Sequence, residues 1–136
     1  MYGGTLKVSA FKPSEAHFLV SLNTGVITSL AHLPHNGHSD MAGVYASSSL
    51  VFLLGGMNGN DDYNASCIWY DYKEGRVWNT GPPLIKPRLN PGALCIGDSI
   101  YVIGGVWSMG ASSNNIDDLY FNQASIETFS RSGAAG

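Results

Sequence analysis

The strongest constraint on this chain is a paired glycine that recurs behind an aromatic or apolar run. It stands as Tyr2-Gly3-Gly4, as Leu53-Leu54-Gly55-Gly56 and as Val102-Ile103-Gly104-Gly105, about 50 residues apart each time. A fixed period of that length marks a repeat architecture, in which each unit buries its apolar face only by stacking on its neighbours. A residue without Cβ lets the chain turn sharply and lets backbones approach closely. Gly55, Gly56, Gly104 and Gly105 are therefore read as structural.

Two copies align over residues 41–56 (MAGVYASSSLVFLLGG) and 90–105 (NPGALCIGDSIYVIGG). Each holds a short apolar run, a polar turn (Ser47-Ser48-Ser49 or Gly97-Asp98) and a longer apolar run closed by glycines, which is the pattern of a β-hairpin. The second strands, residues 50–54 and 100–103, are apolar at nearly every position, so burial on both faces is expected. Further hairpins precede the proline linkers. One runs Phe18-Leu19-Val20-Ser21-Leu22, a turn at Asn23-Thr24-Gly25, then Val26-Ile27-Thr28. The next runs from Cys67 to Tyr72, a turn at Lys73-Glu74-Gly75, then Arg76-Val77-Trp78. A third copy is expected over residues 116–121 and 126–129. A unit thus has four strands: hairpin, glycine pair, loop, hairpin and proline linker.

With its glycine pairs, with Tyr70 and Trp78 eight residues apart, and with Pro87-Arg88 in the linker, the sequence resembles the kelch-repeat family over residues 2–130. The resemblance implies an all-β fold of four-stranded antiparallel blades from a kelch-type β-propeller. The units run 2–40 (a partial repeat, outer hairpin and linker), 41–90 (a complete repeat), 91–130 (a degenerate repeat) and 131–136 (a flexible tail). Tyr70, Trp78 and Trp69 are expected to pack blades together, since aromatics carry large burial area. Two to three repeats fall short of the four to eight blades that close a propeller, so the ring is expected to be incomplete. The explanations, in order, are a piece of a longer chain, closure by self-assembly or by another chain, and a divergent product that departs from the propeller.

Only 12% of residues are charged, against about 25% in ordinary soluble proteins, as suits faces hidden by adjacent blades. The net charge of −3 comes without a basic stripe, so no nucleic-acid partner is expected. No apolar run approaches the ~20 residues that span a membrane, and the first residues lack a signal-peptide pattern. Neither a membrane partner nor export is expected, and the cytoplasm is the expected compartment. Cys67 and Cys95 are too few for a disulfide framework.

The binding face is expected on the loops after the glycine pairs, with a protein as partner. The candidates are Asn58, Asn60, Asp61, Asp62 and Tyr63 in the first loop, Trp107 and Met109 in the second, and Lys86 and Arg88 in the linker. An aromatic or a methionine on a loop suits an interaction hot spot. The oxygen-rich run at Asn58–Asp62 hints at calcium but lacks the terminal glutamate of such a loop, and a solvated turn is the simpler reading. His32, His35 and His38 are the nearest approach to a metal set. Pro34, Asn36 and Gly37 make that stretch a loop with no helix to fix the geometry, so neither a metal nor a cofactor is expected. No nucleophile elbow or phosphate loop is present. The reading is a protein-interaction module rather than an enzyme. The alternatives are a piece of a kelch-type propeller enzyme, dependent on a metal or a sugar, and a structural subunit of a larger assembly.

Overall fold

The structure is a computed structural model, and it describes residues 5–7, 11–58, 65–108, 120–122 and 126–130. These residues form strands only, with no helix among them. The strands are β1 (Thr5–Lys7), β2 (Phe11–Pro13), β3 (Phe18–Val20), β4 (Ile27–Ser29), β5 (His38–Ser39), β6 (Ala42–Tyr45), β7 (Leu50–Leu54) and β8 (Met57–Asn58). After them come β9 (Cys67–Asp71), β10 (Trp78–Thr80), β11 (Gly92–Ile96), β12 (Ser99–Ile103), β13 (Val106–Ser108), β14 (Tyr120–Asn122) and β15 (Ile126–Ser130). Every named pairing is antiparallel.

One blade is whole among the described residues. Its sheet runs β10-β9-β7-β6 in space, so the chain meanders outward strand by strand. The turn at Ala46–Ser49 joins β6 to β7, with Ser47 Oγ accepting from the Ser49 and Leu50 amides. Strand β7 alternates between two cores. Phe52 and Leu54 pack with Ala42, Cys67, Leu84, Ile100 and Val102 toward the following sheet. Leu53 packs on the opposite face with Leu33 and Ile68, against which Met41 and Trp78 lean. This two-sided burial is why β7 lacks the polar alternation of a half-solvated strand.

The following sheet, β11-β12-β15, has three strands. Two expectations need correction here. Ile100 and Val102 are buried against the blade, but Ile103 is 42% exposed, so β12 is covered on one face instead of two. Of the outer hairpin expected over residues 116–121 and 126–129, residues 116–119 lie outside the described residues, and the described parts do not pair with each other. Instead, β15 pairs directly with all five residues of β12, while β14 pairs with β13. Ahead of the blade, β3 and β4 form the expected outer hairpin, closed by Gly25 N–H on Ser21 O and Ser21 N–H on Val26 O.

The glycine pairs sit where the sheets are joined. Gly55 and Gly56 have φ of 69° and 87°, and Gly104 and Gly105 have 66° and 88°, so one left-handed bend is built twice. The linker that enters the second sheet lies against the first pair. The Gly56 amide donates to the Arg88 carbonyl at 2.6 Å, and a Cβ on Gly55 would stand 2.5 Å from that same oxygen. The Arg88 guanidinium then donates to the Gly104 carbonyl at 2.8 Å. Leu89 bonds Val106 through both amides, and the Asn90 amide donates to the Asp40 carbonyl. Asp40 and Asn90 share a left-handed φ, 56° and 50°, so they are the equivalent linker positions.

A Gly55→Ala substitution sets a β-carbon into the linker carbonyl at a positive φ, and it is expected to cost about 2–4 kcal/mol. Gly97→Ala, at a φ of 57° but with open space around it, is expected to cost only about 1 kcal/mol. Urea unfolding of the two variants beside the parent chain measures the difference.

Candidate functional site

A groove of about 460 Å³ separates the β3–β4 hairpin from the whole blade. Phe18, Leu19, Val20 and Leu30 line one wall, and Tyr45, Ser48, Tyr70, Tyr72 and Arg76 line the other. It opens at the end of the sheets that carries the β6–β7 and β9–β10 turns, where the Tyr72 amide donates to the Ser49 carbonyl. The glycine pairs lie at the opposite end.

Local sequence sets the β9–β10 turn. Asp71 Oδ1 accepts from the Lys73 and Glu74 amides. Those bonds hold its carboxyl below the usual carboxylate range, as expected when the ionised form is the better acceptor. Arg76 follows in a left-handed conformation, φ 50°, with its amide donating to the Glu74 carbonyl. The guanidinium stands close enough to Tyr70 to oppose the rise that burial imposes on that phenol.

His17 underlies this wall, fully buried. Its Nδ1 lies 3.0 Å from the Ala31 carbonyl and its Nε2 3.0 Å from the Tyr72 hydroxyl. A carbonyl only accepts, so Nδ1 carries the proton and the Tyr72 O–H donates to Nε2. Trp78 Nε1–H donates to the same Ala31 oxygen at 3.1 Å. Tyr70, Tyr72 and Trp78 close around the imidazole, with Tyr70 edge-on at 4.9 Å. Burial pushes the His17 pKa down, so the ring is neutral. The cage thus fixes the Tyr72 hydroxyl on the groove wall.

The residues singled out from the sequence are spread over the molecule. Asn60, Asp61, Asp62, Tyr63 and Met109 lie outside the described residues. Asn58 sits on β8, buried and in register with His38. Trp107 lies on β13, opposite Phe121. Lys86 is exposed on the linker. Arg88, expected at a binding face, is fully buried and bonded to Gly104. Its position between two glycine pairs fits a stitch between sheets, not a surface contact. Tyr70 and Trp78 are direct cross-strand partners, with ring centroids 5.2 Å apart.

Of the three loop histidines, His35 and His38 stand near each other, with ring centroids 6.1 Å apart. His32 is exposed, 3.4 Å from Glu15. His35 is exposed at a positive φ. His38 is buried, and its Nε2 has no hydrogen-bond partner among the described residues. No group of three or more His, Cys, Asp or Glu among the described residues is placed to hold a metal ion. Cys67 is buried, and burial raises its thiol to about 12, which keeps it protonated. No helix among the described residues is long and apolar enough to cross a membrane.

The sequence reading missed His17, Tyr72 and the groove. His17 stands alone between Ala16 and Phe18, and no spacing rule ties it to a tyrosine 55 positions later.

No protein-family model matches the chain. Over 81 residues, 60% of its length, it is 37% identical to the kelch domain-containing protein SSO1033 of Saccharolobus solfataricus. That stretch is 10% of the relative, so the chain spans about a tenth of the protein it matches. A solved structure titled "Structure of YjhT" superposes with a TM-score of 0.70 at 16% identity, covering 86% of this chain and 36% of that one. At that identity the likeness is one of fold. The sheets have the fold of blades of a kelch-type β-propeller, and the sequence is similar to that of a kelch domain-containing protein.

Two predictions follow from the buried imidazoles. Tyr72→Phe leaves His17 Nε2 buried without its donor and is expected to cost about 1–2 kcal/mol, read from urea midpoints. The second concerns pH. Burial, with His35 adding to it, lowers the His38 pKa to about 4. Between that value and about 6.5 the unfolded chain binds a proton that the folded chain refuses. Stability is therefore full above 6.5 and falls on acidification, by about 2 kcal/mol between pH 7.5 and 5 for this group. Urea midpoints at the two pH values should show the fall, and His38→Leu should remove that part of it.

Proposed function

We propose that the chain is a protein-interaction module that binds across the β3–β4 hairpin and the adjoining groove. One observation carries the reading: the large apolar side chains on this face are exposed to water. Leu22 is 96% exposed, Ile27 65%, Tyr45 64% and Val26 57%. Apolar surface gathered in this way and rimmed by polar residues is characteristic of contact sites between proteins. Aromatic and arginine side chains, here Tyr45, Tyr72 and Arg76, are those most enriched at such sites. Lys86, exposed on the linker, belongs to a second contact region in this reading. The metal-dependent alternative would need His32 beside His35 and His38, whose rings are 6.1 Å apart, and His32 lies instead against Glu15.

The test is retention of a partner by the immobilised chain. The parent chain is expected to retain a host protein that an Ile27→Glu/Tyr45→Glu variant does not, with circular dichroism unchanged. Equal retention by both chains, or retention by neither, ends the reading.

A further inference from the structure

Independently of the interaction-module reading, we infer that His35 and His38 form a site for a divalent transition-metal ion of the zinc type, held between the two imidazoles at the turn that leads into β5. The observation behind it is an unmet nitrogen. His38 is 1% exposed, and its Nε2 has no hydrogen-bond partner among the described residues. The Pro34 carbonyl is the backbone partner of the same ring, so the bonded nitrogen is Nδ1. A carbonyl only accepts, so Nδ1 carries the proton and Nε2 keeps a bare lone pair. A buried acceptor with nothing to accept from is rare, and it calls for an ion or a water. The ring is already enclosed by this chain's own residues.

Three features favour an ion over a water. The first is a second nitrogen ligand close by. The His35 and His38 ring centroids are 6.1 Å apart, with their planes at 71°. Two imidazoles that share one ion through bonds of about 2 Å hold their centroids roughly 5–6.5 Å apart. The second is the bond from Nδ1 to Pro34. A metal-ligating histidine donates its other ring N–H to a carbonyl or carboxylate, which fixes the tautomer and the ring. The third is a turn fixed in place without a helix. The Gly37 amide donates to the Pro34 carbonyl and the His38 amide to the Ser14 carbonyl, both at 3.2 Å. His38 is also in register with Asn58 in the β5–β8 pair.

The donors select the metal. Imidazole nitrogen suits zinc, nickel and copper, whereas calcium and magnesium require oxygen. No third His, Cys, Asp or Glu is placed with the pair among the described residues, and His32 stands against Glu15. Water therefore completes the coordination. His35 is exposed, so the ion enters from its side and exchanges with solvent.

Zinc chloride titrated calorimetrically into the whole chain is expected to bind at one equivalent, and calcium chloride to give no binding heat. His35→Ala, a change at an exposed side chain, should weaken zinc binding by more than about tenfold. His32→Ala should leave it unchanged. In long-range proton–nitrogen correlation spectra the His38 Nε2 resonance should move on zinc addition, while Nδ1 stays protonated. Absence of zinc binding overturns the inference and leaves a buried water as the group that meets Nε2. Binding that survives His35→Ala, binding weakened as much by His32→Ala as by His35→Ala, or an Nε2 resonance unmoved by bound zinc overturns it as well.

Discussion

The rest of the fold depends on one close approach, between the carbonyl of Arg88 and the backbone of Gly55-Gly56. The Gly56 amide bonds that oxygen, and the space a β-carbon on Gly55 would need is the space the oxygen occupies. The linker can therefore enter the second sheet only along the bend of the first. The Arg88 side chain then carries the same joint to Gly104, so one residue fastens two successive bends, by its carbonyl and by its guanidinium. A buried guanidinium is costly unless its donors are met, and carbonyls at a left-handed glycine bend are well suited to meet them. In repeat proteins, stability is roughly the sum of units and their interfaces. Here the interface joins the apolar core between the sheets to a few backbone bonds at glycines that tolerate no side chain.

Stacking from this joint makes the molecule asymmetric. The whole blade has a core on each face, one with Phe52, Leu54 and Ile100 and one with Leu53, Ile68 and Leu33. The sheets on either side have one covered face each among the described residues. That is why Ile103 and Ile96 on one flank, and Leu19 and Ile27 on the other, meet water although their repeat pattern marks them for burial. The groove is a product of the same asymmetry. Its floor is the whole blade, and its far wall is the β3–β4 hairpin, a two-stranded sheet among the described residues.

What was legible in the sequence was whatever repeats. Two glycine pairs, two apolar second strands and the pairing of Tyr70 with Trp78 follow from a period and from strand alternation, which are local properties. The two-sided burial of residues 50–54 was legible for the same reason. The one-sided burial of residues 100–103 was not, because it depends on what lies beyond the second sheet. Arg88 was misjudged because a charged linker residue after a proline looks like surface. Only the backbone trace shows that it runs between two bends. The groove was illegible, since it joins the side chain of Tyr72 to an imidazole from another unit, and neither residue recurs at the repeat interval.

This contrast says where specificity must be sought in a chain of this kind. Positions that keep the period are committed to holding sheets together, and changing them changes stability before it changes recognition. Positions that break the period are released from that duty. His17 has no counterpart histidine in the next unit, and Arg76 and Tyr72 belong to the one turn whose Asp71 fixes two backbone amides at once. The turn is thereby rigid, so the side chains it presents lose little freedom when they meet a ligand, which is the condition under which a small contact surface discriminates.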